Sequence, residues 1–253
     1  MGHLTTSLFL VASLAMACDK TTPAPAPVAP PSPAGATNEP AQAAVEPSPE
    51  PAPKPHEKPP APSEAGQVGT LPEGVGIAVG AAAPKLELDG VDGTKVALGE
   101  LYARGTTLVV FYRGGWCPFC NAQLHALSQA APEFARRGVG LAAISVDRAD
   151  EGAKTRASWT IPFPVLADPE LAAHRAFNVT YAAEPEEVER LRGFGIDLEK
   201  ASGKTHHTIA IPALFLVDTQ GIVRWAHADR DYKVRPSVAQ LLAAIDQVVA
   251  REK

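Results

Sequence analysis

Two cysteines stand two residues apart in FYRGGWCPFC, residues 111–120. A thiol pair at this spacing, Cys117 and Cys120, can grip a metal, staple a loop, or open and close a disulfide. As a staple it would be poor, because a two-residue loop removes little entropy from the unfolded chain. A structural zinc site wants four ligands, and a Cys pair needs a second pair to complete it. His206 and His207 are adjacent, which suits two ligands on one ion badly, although one of them with both thiolates would suit Cu(I). Dithiol redox chemistry is the leading reading, and a copper-binding module stays open beside it.

The elements around the pair must decide its reactivity. Thr107 to Tyr112 (TLVVFY) is β-branched and aromatic and is predicted as a buried strand. Behind it, Leu124, Leu127, Ala131 and Phe134 recur at helical spacing, with Pro132 as a kink or a new turn and Gly138 as the stop. Cys117 then falls at the amino end of the helix, where free N–H groups and the positive dipole end favour a thiolate. Pro118 suits the first turn, having no N–H to leave unpaired. Cys117 is accordingly the expected attacking thiol and Cys120 its resolving partner. Arg113 is the candidate cation, and Trp116, Pro118 and Phe119 form the candidate substrate rim.

Val139 to Val146 (VGLAAISV) is a second buried strand, so strand, helix and strand form a βαβ unit with a parallel pair. Ala83–Leu88 and Thr94–Leu98 are predicted as earlier strands around the turn DGVDG. Ala213–Val217 and Ile222–Ala226 flank DTQG as a hairpin. After Pro236, the residues Val238, Leu241, Leu242, Ile245 and Val249 make one apolar helical stripe. The outline is an α/β thioredoxin-like fold, a central mixed sheet flanked by helices, preceded by a disordered Pro/Ala-rich stalk.

That stalk shows in the composition. Of the 253 residues, 45% are hydrophobic, enough for one sizeable core, yet no Phe, Trp or Tyr occurs from Leu10 to Leu101. Fifteen of the 25 prolines lie between Pro23 and Pro62, in a stretch with too little apolar surface to offset the entropy of ordering it. Before it, the apolar run Leu8 to Ala17 suits a signal peptide, and AMAC at its end resembles a bacterial lipobox with Cys18 as the lipidated residue. The expected organisation is a signal peptide at 1–17, a lipid-anchored linker at 18–70 and a folded domain at 71–253. The expected location is outside the cytoplasm, anchored to a membrane through an N-terminal lipid. A net charge of −5 argues against a nucleic-acid partner. With no Gly-x-Gly-x-x-Gly after a strand and no phosphate loop, no cofactor is expected.

From Gly80 onward, GAAAPKLEL, LVVFYRGGWCPFC, ISVD, FPVLADPELAAHRAFNV, RLRGFGIDLEKASG and IPALFLVDTQGIVRWAH resemble the peroxiredoxin (AhpC/TSA) family, most closely a branch with a WCPxC motif. The resemblance implies a thioredoxin fold and a thiol reaction with a peroxide or a disulfide, with an external thiol as reductant. It also marks two departures. Peroxiredoxins carry Pro-x-x-x-Thr-x-x-Cys, and with Cys120 on the peroxidatic cysteine, Arg113 replaces the Pro and Cys117 the Thr. Such an alignment would make Cys120 the attacker. Pro212 stands where the family has an arginine, and Ile211–Pro212 is similar to the proline bond that faces the cysteines in thioredoxins. Asp231, Tyr232 and Arg235 (DYKVR) are similar to a closing segment of the same branch, which assigns them no role. Asp168 is read as a turn residue, His125 as a helix-surface residue and Tyr112 as strand packing.

Overall fold

The computed structural model describes residues 63–251. The expected signal peptide, Cys18 and nearly all of the Pro/Ala-rich run lie outside them. In chain order the elements begin with β1 (Ser63–Glu64), β2 (Glu87–Gly90), β3 (Lys95–Ala97), α1 (Leu98–Arg104) and β4 (Thr106–Phe111). Next come α2 (Pro118–Arg136), β5 (Val139–Ser145), α3 (Ala149–Ser158), β6 (Val165–Ala167), α4 (Ala172–Ala176) and β7 (Thr180–Ala182). The chain continues through α5 (Pro185–Gly193), α6 (Leu198–Ser202), β8 (Thr208–Ala210), β9 (Ala213–Val217), β10 (Val223–Ala228), β11 (Val234–Arg235) and α7 (Val238–Arg251).

Seven strands make one mixed sheet in the order β10-β9-β4-β5-β6-β2-β3. β4, β5 and β6 run parallel, with Phe111 opposite Ile144, and the remaining pairs are antiparallel. The expected βαβ unit is therefore present, with α2 as its crossover. Two small pairs lie outside the sheet: β7 with β8, and β1 with β11. Side chains alternate across β4, so Val109 and Phe111 enter one core while Leu108, Val110 and Tyr112 enter the other. The first core packs Leu98 and Tyr102 of α1 against Phe177 and Phe215. In the second, Leu124, Leu127 and Phe134 of α2 meet Leu241 and Ile245 of α7. This is the thioredoxin-like arrangement, a mixed sheet with helices on its faces.

Several boundaries move from the sequence expectation. The strand placed at Ala83–Leu88 is instead Glu87–Gly90, and Leu98 opens α1 rather than ending a strand. Helix α2 runs through the exposed Pro132 without a break, and Gly138, at φ +71°, turns the chain into β5. The last residues assigned to the linker belong to the fold. Ser63 and Glu64 pair with β11, and Ala65 is buried. A run rich in proline and alanine gives no period from which such a two-residue strand could be read.

Candidate active site

Strand β4 delivers the chain to the site. After Phe111, the Tyr112 N–H still bonds to the carbonyl of Ile144, and then the backbone leaves the sheet. Gly114 sits at φ +154°, and a Cβ on it would strike the Trp116 indole and Asp147. A Cβ on Gly115 would overlap the Thr155 hydroxyl. The paired glycines therefore let the turn lie flat on its neighbours. The Gly115 N–H donates to Asp147 Oδ2 at 2.7 Å, and Asn121 Nδ2 donates to the Gly115 carbonyl at 2.8 Å. Cys117 is the N-cap of α2 in an extended conformation, with Pro118 at the first helical position. Its carbonyl accepts the Asn121 N–H at 3.0 Å, which closes the first turn and brings Cys120 over it.

Both thiols are reduced, and both are buried: Cys117 is 1% exposed and Cys120 0%. They belong to the apolar cluster of Leu124, Leu127 and Tyr112, yet a cation touches Cys120. Arg235 of β11 is 2% exposed, and its Nη2 lies 3.7 Å from Cys120 Sγ. Its Nη1 donates to the Val234 carbonyl at 2.7 Å and its Nε has no partner. Among the described residues no carboxylate pairs with this guanidinium. A buried cation with no counter-charge is strongly unfavourable, so a thiolate at Cys120 is the charge that satisfies it.

The two sulfurs are driven apart in acidity. Burial pushes the Cys120 thiol up, but the hydrogen bond from Cys117, the Arg235 charge, the Arg113 backbone N–H and the Arg235 contact outweigh it and bring it down to about 6. Cys117 moves the other way, because the hydrogen bond it donates to Cys120 and its burial both favour the neutral thiol. Asp147 is also fully buried. Loss of water raises its carboxyl to about 7 against the opposing Gly115 and Ser145 hydrogen bonds.

Other residues singled out from the sequence scatter around this centre. Arg113, the expected cation, turns its guanidinium to Glu187 Oε1 at 3.1 Å. It stacks under Tyr232 at 4.1 Å and beside Trp116 at 5.1 Å, so only its backbone N–H serves Cys120. Phe119 meets Tyr232 edge-on at 5.7 Å, and both rings pack against the apolar cluster that includes the two cysteines. Pro118 stays in the helix start, and Pro212 enters β9 beside Tyr112, as the Phe111–Ala213 register requires. His206 bonds to the Pro169 carbonyl at 3.0 Å and His207 to Glu199 at 2.7 Å, so neither stands with the cysteines. Among the described residues no three of His, Cys, Asp or Glu gather for a metal.

Asp168 caps α4 by accepting the Ala172 and His174 N–H groups, and His125 packs on Trp159 at 5.3 Å. Sequence reasoning named Arg235 within DYKVR without giving it a role, and it did not single out Asp147. The first lies 115 positions from Cys120 and had no spacing signal; the second ends ISVD, where a buried carboxylate on a strand end was the available hint.

Geometry and fold define a thiol-bearing thioredoxin-like domain. The sequence profile of the AhpC/TSA family matches residues 79–226, more than half of the chain, and the protein belongs to that family. Among curated relatives, "1-Cys peroxiredoxin PER1" of Hordeum vulgare is 28% identical over 125 residues, covering 45% of this chain and 54% of the relative. That of Zea mays is 28% identical over 133 residues, covering 45% and 55%. The chain thus spans about half the length of the curated relatives it matches. Solved structures share the fold. The peroxidoxin BcpB of Mycobacterium tuberculosis has TM-score 0.54 at 20% identity, covering 68% of this chain and 96% of that one. Reduced Prx3 of Vibrio vulnificus in complex with H2O2 has TM-score 0.55 at 18% identity, covering 67% and 99%.

These relatives correct one expectation. They are named 1-Cys peroxiredoxins, so the chain is not placed in a WCPxC branch. A five-residue motif suggested that branch, and similarity over 125 residues outweighs it.

Proposed function

We propose that this chain is a thiol peroxidase in which Cys120 attacks and Cys117 resolves. The observation that carries the reading is the buried Arg235 guanidinium, without a carboxylate, set on Cys120 Sγ. The Cys120 thiolate attacks one peroxide oxygen, the O–O bond breaks, and Cys120 becomes a sulfenic acid. The leaving alkoxide or hydroxide takes a proton from solvent. The Cys117 sulfur then displaces water from the sulfenic sulfur and closes the Cys117–Cys120 disulfide. An external thiol donor returns the two electrons by exchange through a mixed disulfide.

Burial of both sulfurs, in a cluster against which Phe119 and Tyr232 pack, favours a small peroxide over the disulfide of a folded protein as oxidant. The turned-away His206 and His207 leave a copper-binding reading without its third ligand. Trp116 and Phe119 pack against the cluster that holds both cysteines, and Pro212, just before β9, lies next to the Phe111–Ala213 pair.

Substituting each cysteine separately tests this. Cys120→Ser abolishes peroxide consumption by the reduced protein. Cys117→Ser consumes one equivalent and stalls as a sulfenic acid that dimedone traps. Loss of the first step in Cys117→Ser, with Cys120→Ser still consuming peroxide, would reverse the roles. Consumption of a small disulfide with none of peroxide would make the protein a disulfide reductase.

Export and tethering complete the proposal, supported by the Leu8 to Ala17 run, AMAC ending at Cys18, and the proline-rich stretch after it. Among the described residues no helix is long and apolar enough to cross a membrane, and the proposed attachment is a lipid on Cys18. Cys18→Ala then releases the protein from the membrane fraction, and retention there would refute the tether.

A further inference from the structure

The guanidinium on Cys120 raises the question of what holds Arg235 in place. Its side chain grips only the neighbouring Val234 carbonyl and the sulfur. Its backbone belongs to a two-residue strand far too short to stand alone. The partner of that strand is β1, at the end of the proline-rich run. The Ser63 N–H donates to the Lys233 carbonyl at 3.1 Å, and the Ala65 N–H to the Arg235 carbonyl itself at 3.0 Å.

The pair is then fastened to the start of α7. Gln240 Nε2 donates to the Ala65 carbonyl at 2.7 Å, and Ser237 Oγ donates to Glu64 Oε1 at 2.7 Å. Gln240 Oε1 accepts the Ser237 N–H at 2.9 Å, which ties the two fastenings together. Ala65 is 1% exposed, so this junction is packed as well as hydrogen-bonded. Residues 63–65 are thereby bonded both to the β11 backbone and to side chains at the start of α7, and the Arg235 carbonyl is held through Ala65.

We propose that Ser63, Glu64 and Ala65 form a positioning strap for Arg235, so that the segment emerging from the proline-rich run sets the reactivity of Cys120. The strap does not touch the sulfurs; it acts through the arginine. Loosening it frees the β11 backbone, and the guanidinium loses its fixed distance to Sγ. The inference rests on the reading of Cys120 as the ionised thiol.

The other charged or titratable groups facing Cys120 come from different elements: Cys117 at the α2 cap, Arg113 and Tyr112 after β4, and Asp147 after β5. His227 of β10 faces Arg235, and burial and the arginine's charge hold it below its ordinary range against the pull of Asp229. The strap's hydrogen bonds run to Lys233, Arg235, Ser237 and Gln240 and to none of these groups; the direct route from residues 63–65 to Cys120 is through Arg235, with a longer one through Lys233, Tyr232 and Arg113.

The test uses the full chain with both cysteines present. Ala65→Pro removes the N–H that donates to the Arg235 carbonyl, and Gln240→Leu removes the clamp on the Ala65 carbonyl. Alkylation of Cys120, followed by mass spectrometry against pH, reads its ionisation. Each variant is expected to raise the midpoint by about one unit, a roughly fivefold loss of thiolate at pH 6 and nearly tenfold below pH 5. Arg235→Gln raises it further, and adding either strap change to Arg235→Gln raises it no more.

A purely structural role for the strap would lower the melting temperature and leave the midpoint unmoved. An unmoved midpoint in folded Ala65→Pro and Gln240→Leu, with Arg235→Gln still shifting it, would overturn the strap and leave the site reading standing. Strap effects that add to Arg235→Gln would also overturn it. A wild-type midpoint in the ordinary thiol range, unmoved by Arg235→Gln, would overturn both.

Discussion

Arg235→Gln removes the one cation at Cys120 while keeping a polar side chain of similar length. The guanidinium lies 3.7 Å from the sulfur, and two unit charges about 4 Å apart interact by about 4 kcal/mol at an effective dielectric near 20. At about 1.36 kcal/mol per unit, that is a rise of roughly three pKa units. Cys120 then moves from about 6 toward roughly 9. At pH 7 the thiolate fraction falls roughly a hundredfold, but each remaining thiolate is more nucleophilic. With a Brønsted coefficient of about 0.4–0.5, the gain is roughly twentyfold.

The two effects cross. Exchange with a small aromatic disulfide is therefore about fivefold slower than wild type at pH 7 and about twentyfold faster at pH 10. Stopped-flow exchange across this range, with Arg235→Lys as the charge-retaining control, reads both limbs. Curves that stay parallel to wild type at every pH would refute the assignment of Arg235 as the counter-ion.

Asp147 offers a stability test. Its carboxyl is raised to about 7, above the 3.8 of the free group, so the folded chain keeps a proton that the unfolded chain releases. This contribution to stability is present at low pH and lost as pH rises to 7. Asp147→Asn should flatten the fall between pH 5 and pH 8 by about 2–3 kcal/mol in denaturant unfolding, and an unchanged slope would contradict it. Gly115→Ala drives a methyl onto the Thr155 hydroxyl and should destabilise by about 1–3 kcal/mol. The double variant with Thr155→Ala recovers much of that loss, and no recovery would place the clash elsewhere. Leu124→Ala empties a buried position of α2 beneath the thiols and should cost about 2–5 kcal/mol by the same unfolding measurement.

What could be read from the sequence was what is local. The β-branched run Thr107–Tyr112, the helical spacing of Leu124, Leu127 and Phe134, and Pro118 at the helix start together place the cysteine pair at a strand-to-helix junction. The parallel β4–β5 pair followed from the same pattern, because a 19-residue crossover helix leaves no tight turn possible. The rest depended on distance along the chain. Nothing in DYKVR says that Arg235 reaches back 115 positions to Cys120, and nothing in PSEAG says that Ser63 and Glu64 lie along it. Arg113, next to the motif, looked like the cation for that reason of proximity. Glu187, 74 positions away, pairs with its guanidinium, and what remains of its charge pulls Cys117 down rather than Cys120. The split between the two thiols was illegible for the same cause: the helix start serves both, and a distant guanidinium distinguishes them.

The central claim is that Cys120, and not Cys117, is ionised at neutral pH. Alkylation of the reduced full chain at a series of pH values, with the two cysteines counted separately by mass spectrometry, measures it directly. The account predicts that Cys120 reacts with a midpoint near 6, while Cys117 stays unreactive until well above the ordinary thiol range. A low midpoint at Cys117 with an ordinary one at Cys120 would contradict it.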